Sequence, residues 1–113
     1  MVNEKKVGIV LVLMAVVATI AFAAIPEEGL FKCTNSGEHV AYIWINTGLN
    51  QKARGIAFMD SSKNMIRSVT GTVSGNTLTY SIDGRTNAKI TFANDTTLSF
   101  SGKTYVYESD HPY

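Results

Sequence analysis

The chain has 113 residues, a length that suits one domain. Its apolar fraction of 45% is unevenly distributed, because much of it lies in the first 25 residues. Eight basic and eight acidic side chains remain after Ala23, so the rest of the chain carries no net charge. This balance argues against nucleic acid as a partner, since binding to phosphates needs a basic patch.

The N-terminus has the order of residues that is typical of an export signal. Lys5 and Lys6 form a basic start, and a nearly continuous apolar run follows over residues 7–25. The small residues near the end of this run fit a small-x-small cleavage pattern, with cleavage between Ala23 and Ala24. One prediction is therefore a cleaved signal peptide and a secreted domain.

The alternative is an uncleaved signal anchor. Residues 7–25 would form a helix about 28 Å long, which is close to the thickness of a hydrocarbon core. Basic residues precede the segment and the acidic residues Glu27 and Glu28 follow it, which predicts an N-terminus inside and a domain outside. Both alternatives place the domain outside the cytoplasm, either secreted or attached to the membrane through residues 7–25.

The sequence divides into four parts. Residues 1–25 form the signal peptide or single transmembrane helix, and 26–29 (PEEG) form a linker in which proline ends the helix. Residues 30–109 form a β domain, and 110–113 form a tail.

The second half of the β domain shows strict alternation of apolar residues with Thr, Ser or Lys. This period of two predicts strands with one buried face. The alternating apolar residues are Leu78, Tyr80 and Ile82, then Ala88, Ile90 and Phe92, then Leu98 and Phe100. Tight-turn residues separate these strands at 74–76, 83–85, 94–95 and 101–103.

The first half is less regular. Residues 40–45 and 56–59 are apolar on both faces, and 65–73 are typical of a long strand. Residues 29–33 are a candidate first strand, and 46–52 could hold one turn of helix. The fold class predicted is all-β: a small antiparallel meander that forms a barrel or a sandwich, preceded by one N-terminal hydrophobic helix.

The segment from Gly71 to Glu108 contains TVSGNTLTYSIDG and DTTLSFSGKTYVYE. It resembles the C-terminal meander of small exported lipocalin-like domains of prokaryotes, over about a third of the chain. The resemblance implies an up-and-down barrel or half-barrel behind a signal peptide or anchor, and it carries over no ligand residues. If the barrel binds a small apolar ligand, we expect Tyr80, Ile90 and Phe100 to line its cavity.

Four aromatic residues lie in strands that carry bulk on both faces: Tyr42, Trp44, Tyr105 and Tyr107. A two-sided apolar strand in so small a domain suggests that something covers its second face, and Tyr and Trp often anchor interfaces. These four residues are the candidate interface with a protein partner or with a second copy of the chain.

No motif predicts a catalytic, cofactor or metal site. Cys33 is the only cysteine, so an internal disulfide is excluded; a half-buried strand residue is the favoured prediction, and an intermolecular disulfide is its main alternative. An enzyme would need a cleft that gathers His39 or His111 with a carboxylate, and we expect none. Asn94 begins an N-glycosylation sequon with Asp95 and Thr96.

The leading functional hypothesis is a non-enzymatic structural or protein-interaction module of the cell envelope, exported or anchored in the membrane. The first alternative is a lipocalin-like binder of a small apolar ligand. The second alternative is an accessory subunit of a membrane protein complex.

Overall fold

The computed structural model describes residues 25–47 and 52–113, which contain eight β-strands. In chain order these are β1 (Gly29–Cys33), β2 (Tyr42–Thr47), β3 (Ala53–Met59), β4 (Met65–Ser74), β5 (Thr77–Ile82), β6 (Arg85–Asn94), β7 (Thr97–Phe100) and β8 (Lys103–Ser109). The predicted N-terminal helix and the Ala23–Ala24 cleavage position fall on residues 1–24, outside the described residues. The residues that are described include no helix of the length and hydropathy needed to span a membrane.

The strands form a closed barrel. Each strand pairs antiparallel with the next along the chain, and β1 pairs with β8, where Phe31 lies opposite Tyr107. Every strand therefore has a paired neighbour on both sides, although β4 and β5 pair only where residues 72–74 lie opposite residues 77–79. In the described residues the all-β prediction is therefore confirmed, and of the two predicted architectures the barrel is the one observed.

Alternation along the strands fills the interior of the barrel. On β5, Leu78 is 0% exposed and Tyr80 is 5% exposed, whereas Ser81 is exposed on the other face. Burial of each large apolar side chain contributes about 1.5–3 kcal/mol to folding. The buried core consists of Phe31, Cys33, Ile43, Ile45, Ile56, Phe58, Leu78, Tyr80, Ile90, Phe92, Leu98 and Tyr105.

Two-residue turns connect the later strands. The turn between β5 and β6 consists of Asp83 and Gly84, whose φ angles are +47° and +77°. Ser101 and Gly102 between β7 and β8 have φ angles of +53° and +74°. Positive φ at both central residues is the geometry that matches the twist of a hairpin, and Asp and Gly tolerate it well.

The barrel has two different ends, which follow from the antiparallel order. We call one the mouth end, and it carries the connections 34–41, 60–64, 83–84 and 101–102. We call the other the entry end, because the chain enters the barrel there before Gly29. The turns 75–76 and 95–96 also lie at the entry end.

A buried arginine holds the linker at the entry end. Arg54 of β3 is 7% exposed and alternates in phase with Ile56 and Phe58, which places it on the inner face of the strand. Its Nε donates to the carbonyl oxygen of Pro26 at 3.1 Å, and its Nη1 donates to the carbonyl oxygen of Ala53 at 2.9 Å. The first bond attaches the linker to the barrel wall, and the second holds the guanidinium group against its own strand.

Candidate functional site

A cleft of about 670 Å³ opens at the mouth end of the barrel. It is lined by His39, Val40, Phe58, Ile66, Arg67, Tyr80, Ile82, Asp83, Arg85, Ala88 and Phe100. These residues come from the β1–β2 loop and from the mouth ends of β3 to β7. Its volume falls within the range of roughly 300–1,000 Å³ that is usual for sites of small ligands.

Three aromatic rings form the floor of this cleft. The ring centroid of Phe58 lies 5.7 Å from that of Tyr80 and 5.1 Å from that of Phe100. Both spacings are those of favourable aromatic pairs, so each ring fixes the position of its neighbour. Below the floor Ile90 and Phe92 are fully buried, so the core closes the lower part of the barrel.

The rim of the cleft is charged. Arg67 Nη1 donates to Asp83 Oδ1 at 2.6 Å, which links the start of β4 to the β5–β6 turn. Arg85 and His39 also line the cleft, and neither has an ion pair or a hydrogen bond to any side chain in the described part of the protein. Within residues 25–47 and 52–113, the rim thus carries the paired guanidinium group of Arg67 and the unpaired one of Arg85.

Two β-bulges lie beside these cations at the mouth end. Between β3 and β4, Phe58 lies opposite Arg67 and Met59 lies opposite Met65, so β4 has an extra residue at position 66. Between β5 and β6, Tyr80 lies opposite Ala88 and Ile82 lies opposite Arg85, which gives β6 an extra residue. Bulges at the rims of barrels redirect side chains.

The second of these bulges has a clear consequence for Arg85. Asn87, between Arg85 and Ala88, has a φ angle of +61°. In a regular strand Arg85 and Ala88 would face opposite sides, because they are three residues apart. With the extra residue, both of them line the cleft.

Tyr80 supplies the one phenol of the floor. Burial raises the pKa of Tyr80 above its usual value, and the positive charge of Arg85 acts in the opposite direction. The net effect keeps the hydroxyl group protonated. The hydroxyl group can therefore donate a hydrogen bond through its O–H and accept one at its oxygen, beside the guanidinium group of Arg85.

A second tyrosine braces the wall next to the cleft. Tyr105 of β8 is 2% exposed, and its hydroxyl donates to the carbonyl oxygen of Val40 at 2.6 Å. Burial raises the pKa of Tyr105, and the neighbouring Cys33 and Glu38 raise it further. The protonated hydroxyl thereby holds Val40, a residue of the cleft, against the barrel.

The residues predicted to line a cavity occupy two levels. Tyr80 and Phe100 line the cleft, whereas Ile90 lies below it in the closed core. Sequence reasoning did not single out Arg67 or Arg85 as site residues. For Arg67 a clue was present, because it alternates in phase with Val69, Gly71 and Val73, the apolar face of β4.

The four candidate interface residues do not share one surface. Tyr42 and Trp44 pack with Leu30 and Met59 in a separate cluster on the outer side of the barrel wall. Tyr105 lies in the core. Tyr107 lies on the same face of β8 as Tyr105 at the entry end, where it is 37% exposed.

The outer cluster, which we call the outer layer, consists of Leu30, Ala41, Tyr42, Trp44 and Met59. Two lysine ammonium groups lie near the ring of Tyr42 in this layer: Lys63 Nζ is 5.2 Å and Lys32 Nζ is 6.0 Å from the ring centroid. Both distances are within the range of cation–π attraction. Leu30, Tyr42 and Met59 are 0%, 9% and 7% exposed, so the outer layer is a buried cluster, and Lys63 at its border also pairs with Glu108 at 3.8 Å.

The remaining candidate residues lie apart from the cleft. Asn94 is exposed in the region of the β6–β7 turn, where its Oδ1 accepts hydrogen bonds from Thr96 N at 2.9 Å and Thr96 Oγ1 at 2.8 Å. His111 stacks on Tyr113 in the tail, with ring centroids 4.7 Å apart. Cys33 is a buried free thiol.

The cleft does gather a histidine with a carboxylate, which the sequence did not lead us to expect. His39 and Asp83 both line it, and the carboxylate of Asp83 is bound by Arg67. Among residues 25–47 and 52–113, no three His, Cys, Asp or Glu side chains come together in an arrangement that could hold a metal ion.

Comparison with protein-family models, with curated proteins and with solved structures finds no match for this chain.

Proposed function

We propose that this protein binds a small molecule with an apolar body at the mouth of its barrel, and that it does so without catalysing a reaction. The observation that carries the proposal is the cleft itself, with its aromatic floor of Phe58, Tyr80 and Phe100. A concave site with apolar walls and a few polar groups is the usual form of a small-molecule site. The lipocalin-like resemblance and the predicted export of the domain agree with a binding protein of the cell envelope.

The non-enzymatic part of the proposal is supported by the pairing at the rim. A histidine acting as a general base would gain from a carboxylate that orients it. Asp83 instead accepts the hydrogen bond of Arg67. Among the described residues that line the cleft there is also no serine or cysteine to act as a nucleophile.

The test uses the neutral dye N-phenyl-1-naphthylamine, whose fluorescence rises in apolar surroundings, with the full chain and two variants. Ala88→Phe places a ring in the cleft, because Ala88 lines it. Ala93→Phe is the matched control on the outer face of the same strand, where Ala93 is exposed. Dye bound elsewhere, including at the apolar N-terminal segment, remains in both variants and cancels in the comparison.

We expect Ala88→Phe to weaken the cleft-specific binding about tenfold or more, because a phenyl ring fills part of a site of this size. Ala93→Phe should bind as the parent protein does. Urea unfolding of both variants checks that each is folded. Equal binding by the parent protein and by a folded Ala88→Phe variant would contradict the proposal.

An exposed apolar side chain beside the outer layer supports a second candidate function, self-association. Leu30, Tyr42 and Met59 form an apolar cluster on the outer side of the barrel wall, where they are 0%, 9% and 7% exposed. Met65 lies opposite Met59 in the sheet and is 65% exposed, so it offers apolar area on this side of the barrel. The test is the oligomeric mass of the full chain by light scattering: Met65→Ser should dissociate an oligomer, whereas Val106→Ser on β8 should not. A monomeric parent protein would exclude this candidate.

A further inference from the structure

The charges at the cleft do not balance. Of the residues that line it, Arg67, Arg85 and His39 are basic, and Asp83 is the only acidic one. Asp83 is bound by Arg67, so Arg85 remains without a counter-ion in the described residues. The acidic residue of the β1–β2 loop, Glu38, is bound by Lys103 at 3.2 Å.

We propose that the ligand of this cleft is an amphipathic anion, with an apolar body on the aromatic floor and one anionic group at Arg85. The inference rests on the proposed function and specifies the ligand class of the same site. A guanidinium group stays charged at all physiological pH values and offers a planar set of donors that fits carboxylate, sulfonate and phosphate oxygens.

The surroundings of Arg85 favour such a contact. Its guanidinium lies close enough to Tyr80 to act on the pKa of that phenol, so the cation borders the apolar floor. Charges attract more strongly next to an apolar wall than in open water. Phe58, Tyr80 and Phe100 line the same cleft as Arg85. One ligand could therefore place its apolar body on this floor and its anionic group at Arg85.

The pair formed by Arg67 and Asp83 sets how much positive charge the ligand meets. The two groups are bound at 2.6 Å, and both are well exposed at the rim. While the pair is intact, Asp83 neutralises Arg67 and leaves Arg85 as the principal cation. Removal of the Asp83 carboxylate would release a second guanidinium group toward the same ligand.

The experiment compares two dyes that differ in one charged group. The anion is 1-anilinonaphthalene-8-sulfonate, and the neutral counterpart is N-phenyl-1-naphthylamine, which has the same rings without the sulfonate. Each dye is titrated into the full chain, and the signal that Ala88→Phe does not remove is subtracted as binding outside the cleft.

We expect the sulfonate dye to bind at least about tenfold more tightly than the neutral dye, as befits a charge-assisted hydrogen bond. Arg85→Gln should abolish most of this preference and leave the neutral dye unaffected. Lys32→Gln, which removes one positive charge from the outer face of β1, is the matched control and should keep the preference. Because the contact is electrostatic, 1 M salt should also reduce it.

Asp83→Asn tests the same idea in the opposite direction. Asn tolerates the positive φ angle of this position, so the turn should persist. The freed Arg67 should then strengthen binding of the sulfonate dye about threefold to tenfold, with no change for the neutral dye. Because partly unfolded proteins also bind the sulfonate dye, urea unfolding must show that the Asp83→Asn variant is folded, and the neutral dye must show no gain.

The outcomes separate this inference from the proposed function. If both dyes bind in the cleft with equal affinity, or if Arg85→Gln and Lys32→Gln have the same effect, the anion preference is refuted and small-molecule binding stands. If a folded Ala88→Phe variant binds both dyes as the parent protein does, both proposals are refuted.

Discussion

The hydroxyl of Tyr105 donates a hydrogen bond to the carbonyl oxygen of Val40 at 2.6 Å, although the two residues are 65 positions apart. Tyr105 lies on the last strand and Val40 lies on the first loop of the barrel. The bond therefore joins the two ends of the fold beside the seam where β1 pairs with β8. It also fixes one wall of the cleft, since Val40 lines it.

Replacement of Tyr105 by Phe should lower the free energy of unfolding by about 1–2 kcal/mol, because the carbonyl of Val40 loses a partly buried donor. Urea unfolding measures this change. Tyr107→Phe is the matched control on the same strand, since Tyr107 is 37% exposed and its ring packs on Phe31 at 5.8 Å. The control should change stability by less than about 0.5 kcal/mol. Equal losses of unfolding free energy in the two variants would show that the hydrogen bond to Val40 does not contribute measurably to stability.

Alkaline pH should destabilise the barrel through its buried phenols. Burial raises the pKa of Tyr80 and of Tyr105, so the folded protein keeps both protons above the usual tyrosine pKa of about 10. The unfolded chain loses these protons at that pH. Because the folded state then binds more protons than the unfolded state, stability is unaffected below about pH 10 and falls as the pH rises above it.

The measurement is the urea midpoint at several pH values between about 8 and 11, a window that brackets the usual tyrosine pKa. The double variant Tyr80→Phe, Tyr105→Phe retains every lysine of the parent protein, so the difference between the two isolates the phenols. The double variant should lose less stability across this range than the parent protein. Parallel curves for the two proteins would contradict the assignment.

Much of this fold follows from the pattern of apolar residues. The period of two predicts the inner faces of β5, β6 and β7, and Leu78, Ile90 and Leu98 are buried in the core as that pattern requires. The two-residue turns follow from local chemistry, because residues such as Asp83 and Gly84 accept positive φ. The buried faces and the turns both depend on residues that are close together in the chain, so both can be predicted from the sequence alone.

The cleft could be predicted only in part, for two physical reasons. Closure depends on pairing between β1 and β8, and no local pattern specifies a partner at that distance along the chain. The orientation of Arg85 depends on an extra residue in β6, and alternation assigns the opposite face when a bulge is not known. The same non-local pairing separates Tyr105, inside the barrel, from Tyr42, outside it.

Gly71 should be required by the packing of the core. A Cβ atom at this position would lie 2.8 Å from Cδ1 of Ile56 and 3.4 Å from Cβ of Leu78. Gly71→Ala should therefore lower the free energy of unfolding by about 1–3 kcal/mol, as overpacking does. At a strand position with free space the same change would stabilise the protein by restricting the unfolded chain.

The partner residue makes this prediction specific. Ile56→Val removes the Cδ1 atom that the new Cβ would meet, and alone it should cost about 0.5–1.5 kcal/mol. In the Ile56→Val background, Gly71→Ala should cost less than half of what it costs in the parent protein. A complete cycle of urea unfolding measures this coupling, and additive effects would exclude the contact between the two positions.

Cys33 should react slowly with thiol reagents and should not link two chains by a disulfide. It is 7% exposed and belongs to the interior cluster of the barrel, on the strand that closes against β8. A thiol in such a position reacts only when the structure opens, so Ellman's reagent should modify it at least about a hundredfold more slowly than an exposed thiol. The double variant Cys33→Ser, Thr34→Cys moves the thiol to the exposed neighbouring position and provides the reference rate. Rapid modification in the parent protein, or a disulfide-linked dimer on a non-reducing gel, would mean that the seam between β1 and β8 opens far more readily than its packing indicates.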